Sequence, residues 1–226
     1  MSAIIVSDLH IGNKCFLYHR FDRFLENLPA GHELILNGDV LDNPHKRLET
    51  LDLQMLEKIR RHSSLRKVVW IRGNHDNSYT IGEPGDLQFV RHYSLGRELL
   101  IAHGDSFDDI MPKSMAFMRL FMLMHDLRVK CGASPVHVAH YAKKWTWFYR
   151  ILRENVMMNA VKCARENGYK AVTCGHTHYP EDRMVDGVRY INTGSWTETP
   201  TFYLFQDGRQ IGLNPDLDSS PYSPHQ

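Results

Sequence analysis

Fourteen histidines stand in this 226-residue chain, and several sit beside aspartates at spacings that could do chemistry. Five short groups recur in order: Asp8-x-His10, Gly38-Asp39-x-x-Asp42, Gly73-Asn74-His75-Asp76, His103-Gly104-Asp105 and Gly175-His176-x-His178. On extended chain, residues at i and i+2 point to the same side. Asp8 with His10, and His176 with His178, can therefore each grip one centre. Carboxylate and imidazole without thiolate suit divalent Mn, Fe, Zn or Mg rather than copper(I) or an iron–sulfur cluster. Seven candidate ligands, Asp8, His10, Asp39, Asn74, His103, His176 and His178, are too many for one ion and fit two if a carboxylate bridges. Two dications less two aspartates leave a residual +2, which favours an anionic substrate, phosphate first. A single His or Asp at a strand end is ordinarily a turn residue; five such groups in succession are not.

Elements that would position these groups are visible just before them. The apolar runs Ile4-Ile5-Val6, Leu34-Ile35-Leu36, Val68-Val69-Trp70-Ile71, Leu99-Leu100-Ile101 and Ala171-Val172-Thr173 each precede a polar tip. Continuous rather than alternating apolarity predicts strands covered on both faces. In open α/β sheets, sites form at the carboxyl ends of such strands. Helical stripes lie between the first three runs: Phe21, Phe24, Leu25 and Leu28, then Leu51, Met55, Leu56 and Ile59. This βαβαβ beginning predicts an α/β layered fold. The Asp186-Gly187 and Asp207-Gly208 pairs predict hairpins, so the sheet should finish antiparallel.

Composition bounds the rest. Hydrophobic residues at 42% and charged residues at 23% exclude a disordered, collagen-like or coiled-coil chain. Lys and Arg number 27 against 26 Asp and Glu, so no global basic field advertises nucleic acid, and none is expected as a partner. The cysteines Cys15, Cys131, Cys163 and Cys174 form no C-x-x-C pair and read as reduced, packed thiols of a cytoplasmic protein. The N-terminus reads as a strand rather than a signal peptide. Residues Met115 to Met124 would rise only about 15 Å as a helix, half the ~30 Å hydrocarbon thickness. Residues 1–213 are expected to form one domain, and Asn214 to Gln226, rich in Pro and Ser, a disordered tail.

The motif series resembles that of the calcineurin-like metallophosphoesterases: DxH, GDxxD, GNH[DE], a lone His, and GHxH. The resemblance implies an α/β sandwich of two sheets flanked by helices, holding two divalent ions, manganese foremost. It implies that Asp8, His10, Asp39 and His178 hold the first ion, and that Asp39, Asn74, His103 and His176 hold the second. A bridging water would attack phosphorus in line. His75 would stabilise phosphoryl charge or protonate the leaving oxygen, with Asp42 as the carboxylate that orients it. Asp76 and Asp105 read equally as supports of the ligands or as turn residues.

Between His103 and Gly175 lie 71 residues holding seven of the ten methionines and a net charge of +5. Residues 111–167 read as a helical lid. Such an insertion resembles that of the UDP-2,3-diacylglucosamine diphosphatases of lipid A synthesis, in which Asp108 and Asp109 find a similar acidic pair. Those enzymes carry GNR where this chain has GNH at His75. The resemblance implies a lipid-linked nucleotide pyrophosphate as substrate, UMP and a lipid phosphate as products, and peripheral contact with the inner membrane. Apolar Met, Phe and Leu can line an acyl groove, while Lys143, Lys144, Arg150 and Arg153 suit an anionic surface. Two other readings compete: a soluble phosphodiesterase or phosphatase acting on nucleotides or phosphoproteins, and a non-catalytic scaffold.

Overall fold

The computed structural model describes residues 1–79, 81–111, 123–124, 127–128, 130–132 and 146–215. Two sheets face each other. One has the order β11 (Arg209–Pro215), β10 (Thr201–Gln206), β1 (Ala3–Val6), β2 (Glu33–Asn37), β3 (Val68–Ile71), β4 (Gln88–Val90). The other runs β5 (His92–Leu95), β6 (Leu99–Ala102), β7 (Ala171–Cys174), β9 (Val188–Asn192), β8 (Glu181–Val185). Strands β1 to β4 are parallel, as are β6, β7 and β9, while β10, β11, β5 and β8 pair antiparallel.

Each expected run is a strand because both of its faces are covered. Ile5, Ile35, Val69 and Ile71 turn inward to meet Leu99, Ile101, Ala171 and Ile191 of the opposite sheet. Their neighbours Ile4, Val6, Leu34, Leu36, Val68 and Trp70 turn outward under α1 (Tyr18–Glu26) and α2 (Thr50–Ser63). Phe21, Phe24, Leu25, Leu28, Met55, Leu56 and Ile59 supply the helical side of that contact. Leu51, expected on the same stripe, is exposed in the first turn of α2. Both Asp-Gly pairs close two-residue hairpins: Asp186 and Gly187, then Asp207 and Gly208, all have positive φ, as a type I′ turn demands.

The second sheet is covered by α3 (Thr146–Glu166). Tyr149, Leu152, Val156, Met157, Ala160, Val161 and Ala164 form its buried stripe, packed in part on Leu100, Val172, Val188 and Tyr190. This part of the chain, expected within a lid at 111–167, is thus a structural layer, because its apolar residues recur at helical spacing. The rest of that lid lies largely outside the described residues. So does the expected tail from residue 216 onward; Asn214 and Pro215 belong to β11.

Trp196 couples this core to the functional end. It is fully buried between Phe21 and Phe24, with ring centroids 4.9 and 4.8 Å away, and its backbone N–H donates to the Asp8 carbonyl at 3.1 Å. Trp196→Ala should destabilise the fold by about 3–5 kcal/mol, the usual range for emptying such a site. Urea unfolding with a midpoint within error of the native chain would refute that role.

Candidate metal centre

All five polar groups project from the carboxyl ends of parallel strands. β1, β2 and β3 carry Asp8 and His10, Asp39 and Asp42, and Asn74 to Asp76; β6 and β7 carry His103, and His176 with His178. The two sheets are joined at this end by Asn37. Its Nδ2 donates to the Ala102 carbonyl at 3.2 Å, and its own carbonyl accepts from His103 Nδ1 at 2.9 Å. Asp39 and His103, from different sheets, are brought together by that joint.

Backbone conformation singles out the same residues. Asp8, His10, Asp39, His176 and His178 all have φ between +50° and +62°. Only two other non-glycine residues among those described share that region, and both are hairpin aspartates. Left-handed backbone costs a non-glycine residue roughly 1–3 kcal/mol, and such strain concentrates at functional sites. Hydrogen bonds hold it in place: Asp8 N–H donates to Gly38 O at 3.1 Å, His10 N–H to Asp39 O at 2.9 Å, and Ser195 Oγ–H to Asp8 O at 3.0 Å.

The side chains converge in three groups whose donor atoms lie within 4.8 Å of one another: Asp8, His10 and His178; Asp8, Asp39 and His103; and His10, Asp39 and His75. His178 Nε2 is 3.1 Å from Asp8 Oδ1 and 3.1 Å from His10 Nε2. His103 Nε2 is 3.2 Å from Asp39 Oδ2. His176 joins none of these groups. Its Nδ1 faces Asn74 Oδ1 at 3.0 Å and its Nε2 faces Asp108 Oδ2 at 2.9 Å, while its ring lies 5.5 Å from that of His103.

Electrostatics point the same way. Burial alone would raise the carboxyl of Asp8, yet His178 holds it below its ordinary value. Asp39 is likewise penalised by burial and held well below the usual range by His103. Burial would strip His103 of its proton, but Asp39 drives its pKa well above 6.5. Two buried carboxylates therefore compete for one buried cation. His176 stands between two acceptor oxygens, Oδ1 of Asn74 and Oδ2 of Asp108. Facing acceptors and crowded carboxylates are the donor set of a cation site, so the residues fit divalent metal.

Asp42 departs from expectation. Its carboxylate faces His10 Nδ1 at 3.3 Å and accepts from Asn13 Nδ2 at 3.0 Å. Burial opposes the charge, but these partners carry its pKa down to about 2. The group that orients His75 is the main-chain carbonyl of Asp42, which accepts from His75 Nδ1 at 2.6 Å. The carboxylate cannot serve both histidines, since the chain at 42 turns its side chain towards the β1 loop.

Other residues act through these. Asp76 is fully buried and accepts from Gly73 N–H at 2.7 Å, Val40 N–H at 2.8 Å and Trp70 Nε1–H at 3.0 Å. It clasps the loop of Asn74 to that of Asp39. Asp108 accepts from the N–H groups of Ile110 and Met111 at 2.8 and 2.9 Å, and so presents its other oxygen to His176. Asn37 and Asn192, which the sequence reading passed over, are polar ends of apolar strands. Asn192 Nδ2 donates to Gly175 O at 2.6 Å and anchors the loop of His176 and His178. Asp105 begins a short 3-10 turn and is not fully buried.

A two-sheet α/β sandwich with this centre at its strand tips defines a candidate divalent-metal protein. The family model for the calcineurin-like phosphoesterase superfamily domain matches residues 1–207, and the chain belongs to that superfamily. A DNA polymerase II small subunit from Methanothermobacter thermautotrophicus is 26% identical over 246 residues, covering 89% of this chain. The chain spans 48% of that relative's length. Among solved structures, Vps29 of Chaetomium thermophilum is 14% identical with a TM-score of 0.49, over 94% of this chain and 84% of that one. The Pseudomonas putida nuclease MPE is 19% identical with a TM-score of 0.47, over 94% and 86%. Yfce, a phosphoesterase from E. coli, is 15% identical with a TM-score of 0.47, over 96% and 100%.

Two glycines let the carboxylates sit this close to the backbone. A Cβ at Gly73 would overlap Asp39 Oδ1, and one at Gly175 would overlap Asp8 Oδ2. Gly175→Ala should keep the far-UV dichroism of the native chain while lowering divalent-metal affinity at least tenfold, the scale on which displaced ligand supports act. Unchanged metal content by elemental analysis would show that the approach is not needed.

Proposed function

We propose that the chain is a dinuclear hydrolase of lipid-linked nucleotide pyrophosphates of the UDP-2,3-diacylglucosamine kind, releasing UMP and an acylated sugar phosphate. On this reading Asp8, His10, Asp39 and His178 hold one ion, and Asp39, Asn74, His103 and His176 the other, with manganese preferred. The observation that carries the chemistry is that the three groups are linked through carboxylates, Asp8 belonging to two of them and Asp39 to two. When bound, two such ions would supply Lewis acidity and an acidified water for attack on phosphorus.

The chain's own groups do the rest. His75 stands on the rim with its side chain 38% exposed and its Nε2 turned towards Asp39 Oδ2 at 3.9 Å. Because Nδ1–H is committed to the Asp42 carbonyl, Nε2 is the atom that carries a transferable proton in the imidazolium form. It would donate to a phosphoryl oxygen or to the departing oxygen. His10 and His176 are held in orientation by Asp42 and Asp108, so their metal-facing nitrogens are fixed before substrate arrives.

The substrate assignment is supported by where apolar surface lies. Tyr149 O–H donates to the carbonyl of Thr177, between His176 and His178, which seats the first turn of α3 beside the centre. Trp147 in that turn is 68% exposed. Apolar groups beside a hydrolytic centre suit an acyl-bearing ester. No helix among the described residues is long and apolar enough to cross a membrane. A second reading, a nuclease acting on DNA phosphodiesters, draws on the DNA polymerase small subunit that this chain resembles over 89% of its length.

One assay separates them: purified protein with Mn²⁺ is given UDP-diacylglucosamine in mixed micelles, single-stranded DNA, or bis-p-nitrophenyl phosphate. UMP release from the lipid is expected. DNA cleavage without UMP release would move the assignment to the nuclease. Asp39→Ala should lose both metals by elemental analysis and all turnover. His75→Ala should keep the metals and lose about 10²–10⁴ in kcat; full activity would end its assigned role.

A further inference from the structure

We infer that a cleft on the β4–β5 side of the centre is a second anion subsite, which seats the nucleoside phosphate half of the substrate. The inference rests on the hydrolase reading above and says where the group beyond the scissile bond goes. The cleft has a volume of about 560 Å³, and its walls include Arg72, Arg91, His92, Ser106, Phe107 and Tyr169. That volume falls within the roughly 300–1,000 Å³ of small-ligand sites.

Its lining carries two arginines and one aspartate, an excess of positive charge. Arg72 is half-buried and fixed: Nη1 donates to the carbonyls of Asn77 and Tyr79 at 2.8 and 2.7 Å, and the guanidinium lies 5.1 Å from the centre of the Phe89 ring. Those bonds neutralise none of its charge and leave Nε and Nη2 without a partner among the described residues. Arg91, between β4 and β5, is exposed and forms no ion pair among the described residues. Two guanidinium groups lining one cleft, neither in an ion pair among the described residues, attract an anion, and their planar forks match phosphate oxygens. Asp105 also lines the cleft, on the wall formed by the 3-10 turn.

Position ties the cleft to the reaction. Arg72 precedes Asn74 by two residues, no more than about 7 Å of chain, and Ala102 in the wall is directly followed by His103. A phosphate on the arginines would therefore lie where the chain enters the loops of Asn74 and His103, the side on which the second phosphate of a pyrophosphate could be held. Phe107 and Tyr169 contribute rings to the lining and Ser106 a hydroxyl. An acyl chain would leave Ser106 and the remaining donors of Arg72 without a partner. A nucleobase, flat with polar edges, would meet both kinds of wall.

The test compares the native chain with Arg91→Ala and Arg91→Lys, using UDP-diacylglucosamine and the single-phosphorus ester bis-p-nitrophenyl phosphate. For Arg91→Ala, the ratio of kcat/KM on the first to that on the second should fall about tenfold or more, chiefly through KM, with partial recovery in Arg91→Lys. UMP binding by calorimetry, which needs no turnover, should weaken by a similar factor. An unchanged ratio together with unchanged UMP affinity would overturn the subsite while leaving the hydrolase intact. Failure of the native chain to turn over either ester would instead remove the hydrolase reading, and the UMP titration would then decide the subsite alone.

Discussion

Two carboxylates, Asp8 and Asp39, are buried together at the joint of two sheets, and most of the functional end follows from that arrangement. Like charges removed from water repel strongly and lose hydration. The protein can hold them only by surrounding them with groups that share protons or by supplying a cation. It does the first with His103 and His178, each about 3 Å from a carboxylate oxygen. That solution is incomplete, since three groups of ligand atoms still crowd within 4.8 Å of one another. The pocket is thus built for more positive charge than the side chains provide, as expected of a superfamily whose chemistry runs on divalent metal.

Holding such a pocket requires a stiff rim, and the rim is stiffened by polar groups that touch no substrate. Asp76, Asn37, Asn192 and Ser195 each bind backbone atoms of a different loop. The capping carboxylate of α2 adds another tie: Asp52 accepts from Glu49 N–H at 2.9 Å and from Gly12 N–H at 3.1 Å, joining the helix start to the loop after His10. These bonds offset the left-handed strain at five residues, which would relax if the loops were free. Strain held this way keeps donor atoms from drifting apart when no ion is bound, so little reorganisation is left for binding.

Much of this was legible in the chain. Runs such as Val68 to Ile71 announced strands because apolar residues on consecutive positions need cover on both faces, and Asp-Gly pairs announced the hairpins through their tolerance of positive φ. Spacing also announced which residues could share a centre. Direction was less legible. Nothing in Gly38-Asp39-x-x-Asp42 says whether the last carboxylate turns to His10 or to His75, because that depends on the path of the loop in space. Asn37 and Asn192 were hidden for a related reason: a single amide at a strand end looks like any turn residue until the facing sheet is known. The stripe of α3 was readable at Tyr149, Leu152, Val156 and Ala160, but richness in Met and basic residues drew attention away from its period.

The two sides of the centre differ in kind, and the difference has a physical source. On the α3 side, the helix meets the His176–His178 loop through Tyr149, and its first turn carries the exposed Trp147. Towards β4 and β5, the chain crosses between the sheets at Arg91, and arginine lines the cleft. On the proposed reading, an amphiphilic ester laid across the centre would have one preferred orientation, with its hydrocarbon beside the indole and its anionic half beside the guanidinium groups. Orientation of that sort decides which oxygen lies opposite the attacking one, and in-line displacement allows only that oxygen to leave. On that proposal, a site with one basic side and one apolar side would select the bond that breaks before His75 moves any proton.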